Sequence, residues 1–324
     1  MNDVVRSYVE RVADLIRDNW YPGKPIDWAR FRADLLIAVA AATTEAETHR
    51  AIAAALKRLG DGHSHLLTPE MRRATMSRKP PLPNGEIKCG AAWVEIPFFL
   101  DNDHISPSDF ADRLQDVINE LDDADPSGWI VDLRKNGGGN MWPMLAGLGP
   151  LLGNVTLGSF RAPDGTDLPW KHHDGVAFIG DHPICAVARQ PYALRRTPSR
   201  IAVLIGKGTA SSGEAVCIAF IGSRNARLFG SATAGLSSAN ETFVLSDGAV
   251  LLLTVSMMCD RTGRVYGVPI EPDVRVEEPC NETDLTNDAV LSAAAAWATS
   301  ALAPVNRRSK LTPYRRPKLA LTQF

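Results

Sequence analysis

Residues 200–226, RIAVLIGKGTASSGEAVCIAFIGSRNA, decide how this chain folds. They begin with a short apolar run rich in β-branched residues, which is long enough for one buried strand. They end with apolar residues at helical spacing, so the turn GKGTASSGE between the two runs must reverse the chain and open a helix. Ser211 would begin that helix, with Glu214 three residues later. The pair is typical of a helix capping box; the alternative is a nucleophile elbow, in which a serine hydroxyl is exposed at the positive end of a helix.

The same alternation of strand and helix recurs upstream of this stretch. Residues 89–99 (CGAAWVEIPFF) have the pattern of a strand, residues 128–133 (GWIVDL) that of a largely apolar strand, and a helix with apolar residues on its inner face begins at Ser106 between them. A further helix follows the glycines of residues 134–140. Strands that alternate with helices imply crossover connections and a mostly parallel sheet that is buried on both faces. The pattern therefore predicts an α/β fold.

Three regions are expected along the chain. Residues 1–72 contain three helical patterns and are predicted to form an N-terminal helical domain, a small bundle. Residues 73–282 are predicted to form the α/β core, within which residues 153–198, rich in Gly, Pro, His and Arg, interrupt the alternation and are expected to cap the core. Residues 283–324 supply an Ala-rich C-terminal helix and a basic tail.

The composition narrows the class of protein. The 324 residues are 45% hydrophobic and 22% charged, as in soluble globular proteins, and a net charge of -2 gives no argument for binding nucleic acid or an anionic membrane. No apolar run approaches the ~20 residues of a membrane span, and the first residues lack the apolar segment of a signal peptide. The five cysteines form no CxxC pair, which favours reduced thiols and a cytoplasmic location. Neither a cofactor nor an oligomeric state is indicated.

Two histidines follow the first helical region in the motif DGHSH. His63 or His65 could serve as a general base, because the pKa of imidazole lies near neutral pH. Both could instead bind a metal, since His-x-His in an extended segment places the two rings on one side, but no carboxylate or cysteine accompanies them at ligand spacing. The third interpretation is a polar turn with two solvated histidines.

The stretch 132–140, DLRKNGGGN, places three glycines between a buried strand and a helix. Glycine lets the backbone approach a ligand and present its N–H groups, as an oxyanion hole requires; the alternative is a plain tight turn. The spacing matches neither a P-loop nor a full dinucleotide-binding fingerprint, so phosphate binding is not supported. Because the carboxyl ends of parallel strands meet in one crevice, Gly137–Gly139 and Ser211 can lie together there, with His63 delivered from the helical region.

Several of these motifs together resemble a known family, that of the C-terminal processing, or tail-specific, serine peptidases. The matching motifs, in the family's order, are LGDGHSHL at 59–66, WIVDLRKNGGG at 129–139, GTASSGE at 208–214 followed by ARLFGSATAG, and YGVPIEPDV at 266–274. The resemblance covers roughly residues 45–280. It implies a crotonase-like ββα core and a serine-type endopeptidase that cuts peptide or protein substrates near their C-terminal end, without a cofactor or a metal.

Carried onto this chain, the resemblance makes Ser211, not Ser212, the nucleophile. The oxyanion donors would be the backbone N–H of Ser212 and that of a glycine in the Gly-rich turn, for which we select Gly138. Glu214 is a candidate to orient His63, and helix capping remains its alternative role. Two alternative functions stay open. One is a catalytically silent peptide- or ligand-binding module on the same fold, and the other is a metal-dependent hydrolase that uses His63 and His65.

The chain departs from the family pattern in two respects. The Ser/Lys branch has a lysine shortly after the glycine of its T-x-G-K motif, whereas Leu236 follows TAG here. The chain therefore resembles the Ser/His branch, with the tricorn core and the nisin-resistance proteases, whose histidine matches His63. The second departure is that too few residues separate the His63 motif from the first core strand for a PDZ domain. Substrate capture would then fall to the helical region and to residues 153–198.

Overall fold

Two β-sheets with helices between and around them make up the fold. The computed structural model describes residues 1–100, 104–197, 200–277 and 288–300. The helices within these ranges are α1 Asp3–Asn19, α2 Trp28–Ala38, α3 His49–Leu59, α4 Pro69–Met76, α5 Pro107–Asp122, α6 Trp142–Gly147, α7 Gly149–Leu152, α8 Ser212–Phe220 and α9 Ala289–Ala298. The strands are β1 His65–Leu67, β2 Asn84–Lys88, β3 Ala91–Glu95, β4 Trp129–Asp132, β5 Val155–Arg161, β6 Asp167–His173, β7 Val176–Ile179, β8 His182–Ala186, β9 Ile201–Ile205, β10 Ala226–Gly230, β11 Ser238–Val244, β12 Val250–Asp260 and β13 Val274–Arg275. The predicted mixed α/β fold is confirmed.

The first sheet is the parallel sheet that the sequence predicts. Its six strands run in the order β13-β10-β9-β4-β3-β2, and each neighbouring pair is parallel except β2 with β3 at the edge. Asp132 at the end of β4 pairs in register with Leu204 of β9. The turns that follow β4 and β9, which are the Gly-rich turn and the Ser211 turn, consequently leave the sheet side by side.

The second sheet is antiparallel. Its seven strands run β1-β12-β5-β6-β7-β8, with β11 paired to the other edge of β12. Residues 155–186, which lie in the segment expected to cap the core, form β5 to β8 of this sheet. Trp170 in β6 is fully buried, so this segment contributes to the core as well as covering it.

Helix α8 lies between the two sheets. Every residue from Ser212 to Phe220 is buried, which is why the helix is apolar on all sides rather than amphipathic. It contacts β9 and β10 of the parallel sheet and β5 and β12 of the antiparallel one. A helix packed on both faces gives Ser211, the residue that caps its N-terminus, a fixed position.

The remaining helices cover the outer faces. Helices α1 to α3 pack on the antiparallel sheet, and their core includes side chains of the β11–β12 hairpin such as Leu245 and Leu251. Helix α9 covers the outer face of the parallel sheet through Val290 and Ala294. The predicted basic tail lies in residues 301–324, outside the described residues. Among the helices described, none is long and apolar enough to cross a membrane.

Candidate active site

Ser211 occupies a strained turn at the N-terminus of α8. Its φ is 52° and its ψ is -117°, a left-handed backbone conformation that L-residues rarely adopt and that costs about 1–3 kcal/mol. Strain of this kind persists only where the surrounding structure imposes it, and it is characteristic of functional sites. The geometry is that of a serine on a strand-to-helix turn with the positive end of a helix behind it.

The Gly-rich turn is bound directly to the Ser211 turn. The N–H of Ala210 donates to the carbonyl of Asn136 at 3.0 Å, and Ser212 Oγ donates to the carbonyl of Gly139 at 2.5 Å. Asn136 is fully buried, and its Oδ1 accepts the N–H of Gly138 at 3.0 Å. The prediction that the two turns lie together is therefore confirmed. The N–H of Gly138, our predicted oxyanion donor, is however already bound to Asn136 Oδ1. Sequence reasoning missed Asn136, because only its fold context separates it from an ordinary loop residue.

His63 is held by a turn built on Asp61. The Asp61 carboxylate accepts the N–H groups of His63 and Ser64 at 2.9 and 2.8 Å and the Ser64 hydroxyl at 2.6 Å. It also accepts the indole N–H of Trp20, at the end of α1, at 2.6 Å. Through the bond to Trp20, the Asp61 carboxylate connects the His63 turn to the N-terminal helices. Aspartate before a turn is a recognisable signal for such backbone contacts, although it was not used in the sequence prediction.

The His63 side chain lies in a buried position on the antiparallel sheet. Its exposed fraction is 8%, and burial lowers its pKa to about 4, with a smaller contribution from His65. Its Nδ1 lies 2.8 Å from Ser238 Oγ, at the start of β11. Sequence reasoning missed Ser238, which is separated from His63 by 175 residues. His65 also lines the groove described below, and its Nδ1 donates to the His63 carbonyl at 2.8 Å.

Glu214 does not contact His63. It is fully buried, and its Oε2 accepts the N–H of Ser211 at 3.1 Å, which corresponds to the capping alternative. Its Oε1 accepts the Thr233 hydroxyl and, at 2.9 Å, the N–H of Gly235. Burial raises the pKa of Glu214. Of the two roles open for Glu214, its contacts correspond to helix capping, because its oxygens are directed to the Ser211 turn and to the loop that precedes β11 and not to His63.

One groove brings Ser211, Ser212, His63 and His65 together, whereas Gly138 and Glu214 are not among its lining residues. It has a volume of about 1260 Å³ and is lined by Ser211, His63, glycines of the Gly-rich turn, and side chains of β5, β6, β11 and β12. Ser211 and His63 face this groove without a direct hydrogen bond between their side chains. Its apolar lining includes Trp142, Phe160 and Leu168.

The described residues contain no group of three or more His, Cys, Asp or Glu side chains arranged to hold a metal. In the same part of the chain, His63 and His65 direct their Nδ1 atoms to different partners, a serine hydroxyl and a backbone carbonyl. The two rings therefore do not form a shared ligand pair on these atoms. The metal-dependent alternative has little support from this geometry.

Residues 91–276 match the model of peptidase family S41. This range contains the Gly-rich turn and Ser211, whereas His63 precedes it. The chain is also 32% identical over 250 residues to the nisin-resistance protein of Lactococcus lactis subsp. lactis, a match that covers 77% of this chain and 76% of that protein. The chain belongs to peptidase family S41.

Other relatives of this S41 peptidase include the carboxy-terminal processing protease CtpA of Bacillus subtilis (strain 168), which is 25% identical over 170 residues. That match covers 52% of this chain and 33% of the Bacillus protein. Among solved structures, a lipoprotein from Streptococcus agalactiae is similar with a TM-score of 0.73 and 26% identity, covering 91% of this chain and 96% of that one. The photosystem II D1 C-terminal processing protease shares the fold, with a TM-score of 0.58 at 14% identity over 93% of this chain and 98% of that one. The predicted tail-specific serine peptidase family is confirmed, and the chain is a serine-type peptidase, a hydrolase.

Proposed function

We propose that this S41 peptidase is an endopeptidase in which Ser211 is the nucleophile and His63 the general base. The observation that carries the proposal is the strained Ser211 turn at the end of a buried helix, facing a groove that His63 shares. A strained serine and a buried neutral imidazole in the same groove are the two parts that acyl transfer needs. The crotonase-like core that the family resemblance implies is consistent with this arrangement.

The reaction would follow the Ser/His template. His63 takes the proton of Ser211 as Oγ attacks the scissile carbonyl, and then gives that proton to the leaving amine. Water, activated by His63 in the same way, hydrolyses the acyl-enzyme. The two side chains must come into hydrogen-bond contact for the first step, and such contacts commonly tighten only when substrate binds.

The N–H of Ser212 is the first oxyanion donor in this proposal. It lies at the N-terminus of α8, where backbone N–H groups and the helix dipole favour negative charge, and it has no acceptor among the described residues. A glycine of the turn after β4 would supply the second donor. Gly138 can do so only if its N–H exchanges Asn136 Oδ1 for the substrate oxygen. Gly137 and Gly139 line the groove directly.

The groove would bind a peptide in extended form. β11 pairs only with β12 among the described strands, and five consecutive β11 residues, 238–242, line the groove. Since alternate strand residues face opposite sides, this lining indicates that the edge of β11 borders the groove. Cleavage near the C-terminal end of substrates follows from the family resemblance. The groove gives no support to cleavage near a C-terminus, because its described lining residues include no Lys or Arg that could bind a terminal carboxylate.

Covalent labelling tests this proposal. A fluorophosphonate probe should label the wild-type protein on one serine, identified by peptide mass mapping as Ser211, and Ser211→Ala should lose both labelling and peptide cleavage while still melting cooperatively. A labelled Ser212 would move the nucleophile. Absence of both labelling and cleavage would favour the silent binding module, and loss of cleavage on adding a chelator would revive the metal-dependent hydrolase.

A further inference from the structure

The side chain of Ser238, which also lines the groove, contacts the imidazole of His63. Its Oγ lies 2.8 Å from His63 Nδ1, and the exposed fractions of the two residues are 6% and 8%. A hydrogen bond between two side chains this deeply buried is shielded from water, so it has a strong effect on ring orientation and on which nitrogen carries the proton.

We propose that Ser238 is the positioning residue for His63: its hydroxyl accepts the Nδ1–H and leaves Nε2 unprotonated, ready to take the proton of Ser211. This inference rests on the proposed function, because it gives His63 the role of base. A neutral imidazole carries one N–H, and the partner of one ring nitrogen sets the state of the other. Ser238 would thus fill the place that an aspartate fills in the Ser-His-Asp triad.

Glu214 holds the segment that carries Ser238. Its Oε1 binds the hydroxyl of Thr233 and the N–H of Gly235, and Ser238 follows three residues after Gly235. The other carboxylate oxygen, Oε2, binds the N–H of Ser211. One buried carboxylate therefore fixes both the nucleophile turn and the loop leading to Ser238. Glu214 acts on His63 only through this loop.

A hydroxyl in this position differs from a carboxylate in charge. A carboxylate beside an imidazole favours the imidazolium and raises the pKa of the histidine, whereas a serine hydroxyl adds only a dipole. This difference gives a test that a merely structural role for Ser238 would not pass. Introducing a carboxylate by Ser238→Asp should move the acid limb of the kcat/KM profile to higher pH by about 1–3 units.

The first experiment compares Ser238→Ala and Ser238→Thr with Ser159→Ala as the matched control. Ser159 in β5 is also a nearly buried serine of the antiparallel sheet, but it lies outside the groove lining. With an internally quenched peptide substrate, Ser238→Ala should lower kcat by about 10- to 100-fold with KM little changed. Ser238→Thr keeps the hydroxyl and should restore kcat to within about 5-fold of wild type. Ser159→Ala should behave as wild type.

The second experiment measures which ring nitrogen of His63 carries the proton, and it does not depend on enzymatic activity. In protein labelled with ¹⁵N-histidine, the ring resonances of His63, assigned by their loss in His63→Gln, should show the Nδ1–H tautomer at neutral pH. In Ser238→Ala the same resonances should indicate a mixture of tautomers. A wild-type Nε2–H tautomer, an unshifted acid limb in Ser238→Asp, or wild-type kcat in a folded Ser238→Ala would each overturn the inference. If the fluorophosphonate probe fails to label Ser211, the proposed function fails, whereas the tautomer measurement still decides the role of Ser238.

Discussion

Gly138 and Ser211 are packed so closely that no side chain fits between them. A Cβ built on Gly138 would lie 2.8 Å from Ser211 Cβ and 3.2 Å from its Oγ, and 3.1 Å from the carbonyl oxygen of Ala210. The φ of Gly138 is also +111°, which an L-residue adopts only with strain. The backbone of the Gly-rich turn thus lies directly against Ser211, and glycine is required at position 138 for both space and conformation.

The first prediction follows from this contact. Gly138→Ala should displace the Ser211 turn, lower kcat/KM by about 100-fold or more, and destabilise the fold by about 1–3 kcal/mol. Gly137→Ala is the matched control, because a Cβ there meets nothing within 4 Å. Fluorophosphonate labelling rates and melting temperatures of the two variants provide the measurement. Equal behaviour of both variants would contradict the packing argument.

The second prediction concerns pH. Only neutral imidazole accepts the Ser211 proton, and burial lowers the pKa of His63 from 6.5 to about 4. The kcat/KM of the wild type should therefore rise with pH through about 4 and be level from pH 6 to 7, rather than titrating at the ordinary histidine value that the sequence alone suggests. A pH–rate profile with its midpoint near 6.5 would contradict this.

The same pKa shift predicts acid lability. Above pH 6.5 His63 is neutral in both folded and unfolded chains and contributes nothing to the pH dependence of stability. Between pH 6.5 and about 4 the unfolded chain binds a proton that the folded protein excludes, so the contribution of His63 to stability falls as the pH falls. Denaturant unfolding of wild type and His63→Asn across this range should converge toward acid pH. If the unfolding free energies of the two proteins changed in parallel with pH, His63 would not be the cause of the acid lability.

A third prediction separates the two adjacent serines. Ser212 Oγ holds the carbonyl of Gly139, so Ser212→Ala should cost about 1 kcal/mol of stability and lower kcat by less than about 10-fold. Ser211→Ala should abolish turnover with little loss of stability, since alanine keeps the Cβ and leaves the backbone strain of the turn unchanged. Turnover and unfolding free energies of the two variants check this, and the reverse ranking for turnover would identify Ser212 as the nucleophile.

The Asp61 turn supplies a fourth prediction. Asp61→Asn replaces one acceptor oxygen by an N–H₂ group, which cannot accept the N–H and O–H groups that surround it. The His63 backbone should therefore lose its fixed position, and kcat should fall by about 10-fold or more. Trp20→Phe removes only the indole N–H bond to Asp61 and should have a smaller effect. Wild-type kcat in a folded Asp61→Asn variant would show that this turn does not position His63.

A fifth prediction addresses the groove wall formed by β6. Leu168 is 46% exposed and lines the groove, so Leu168→Ser should raise KM about 3- to 10-fold with kcat and melting temperature little changed. Ile184 in β8 has the same exposed fraction and lies outside the groove lining, which makes Ile184→Ser the control. Equal KM values for the two variants would place substrate elsewhere.

The parts of the site that are built from adjacent residues could be predicted from the sequence. The Ser211 turn and the Gly-rich turn are short local patterns at strand ends, and parallel strands bring such ends together without further information. Ser238 could not be predicted, because its contact with His63 depends on how the β11–β12 hairpin meets β1. The role of Glu214 was ambiguous for a related reason. A carboxylate three residues into a helix satisfies local N–H donors, and its second oxygen is directed by the tertiary fold.

The pairing of β1 with β12 has a consequence for biosynthesis. Residues 65–67 pair with residues 250–252, and His63 contacts Ser238 from the adjoining strand. A chain leaves the ribosome N-terminus first, so His63, the proposed base, emerges long before the strands that fix its position. Ser211, the proposed nucleophile, also emerges before them. If both residues act as proposed, peptidase activity arises only after β12 has been synthesised, and a partly translated chain carries both residues without being able to cleave its neighbours.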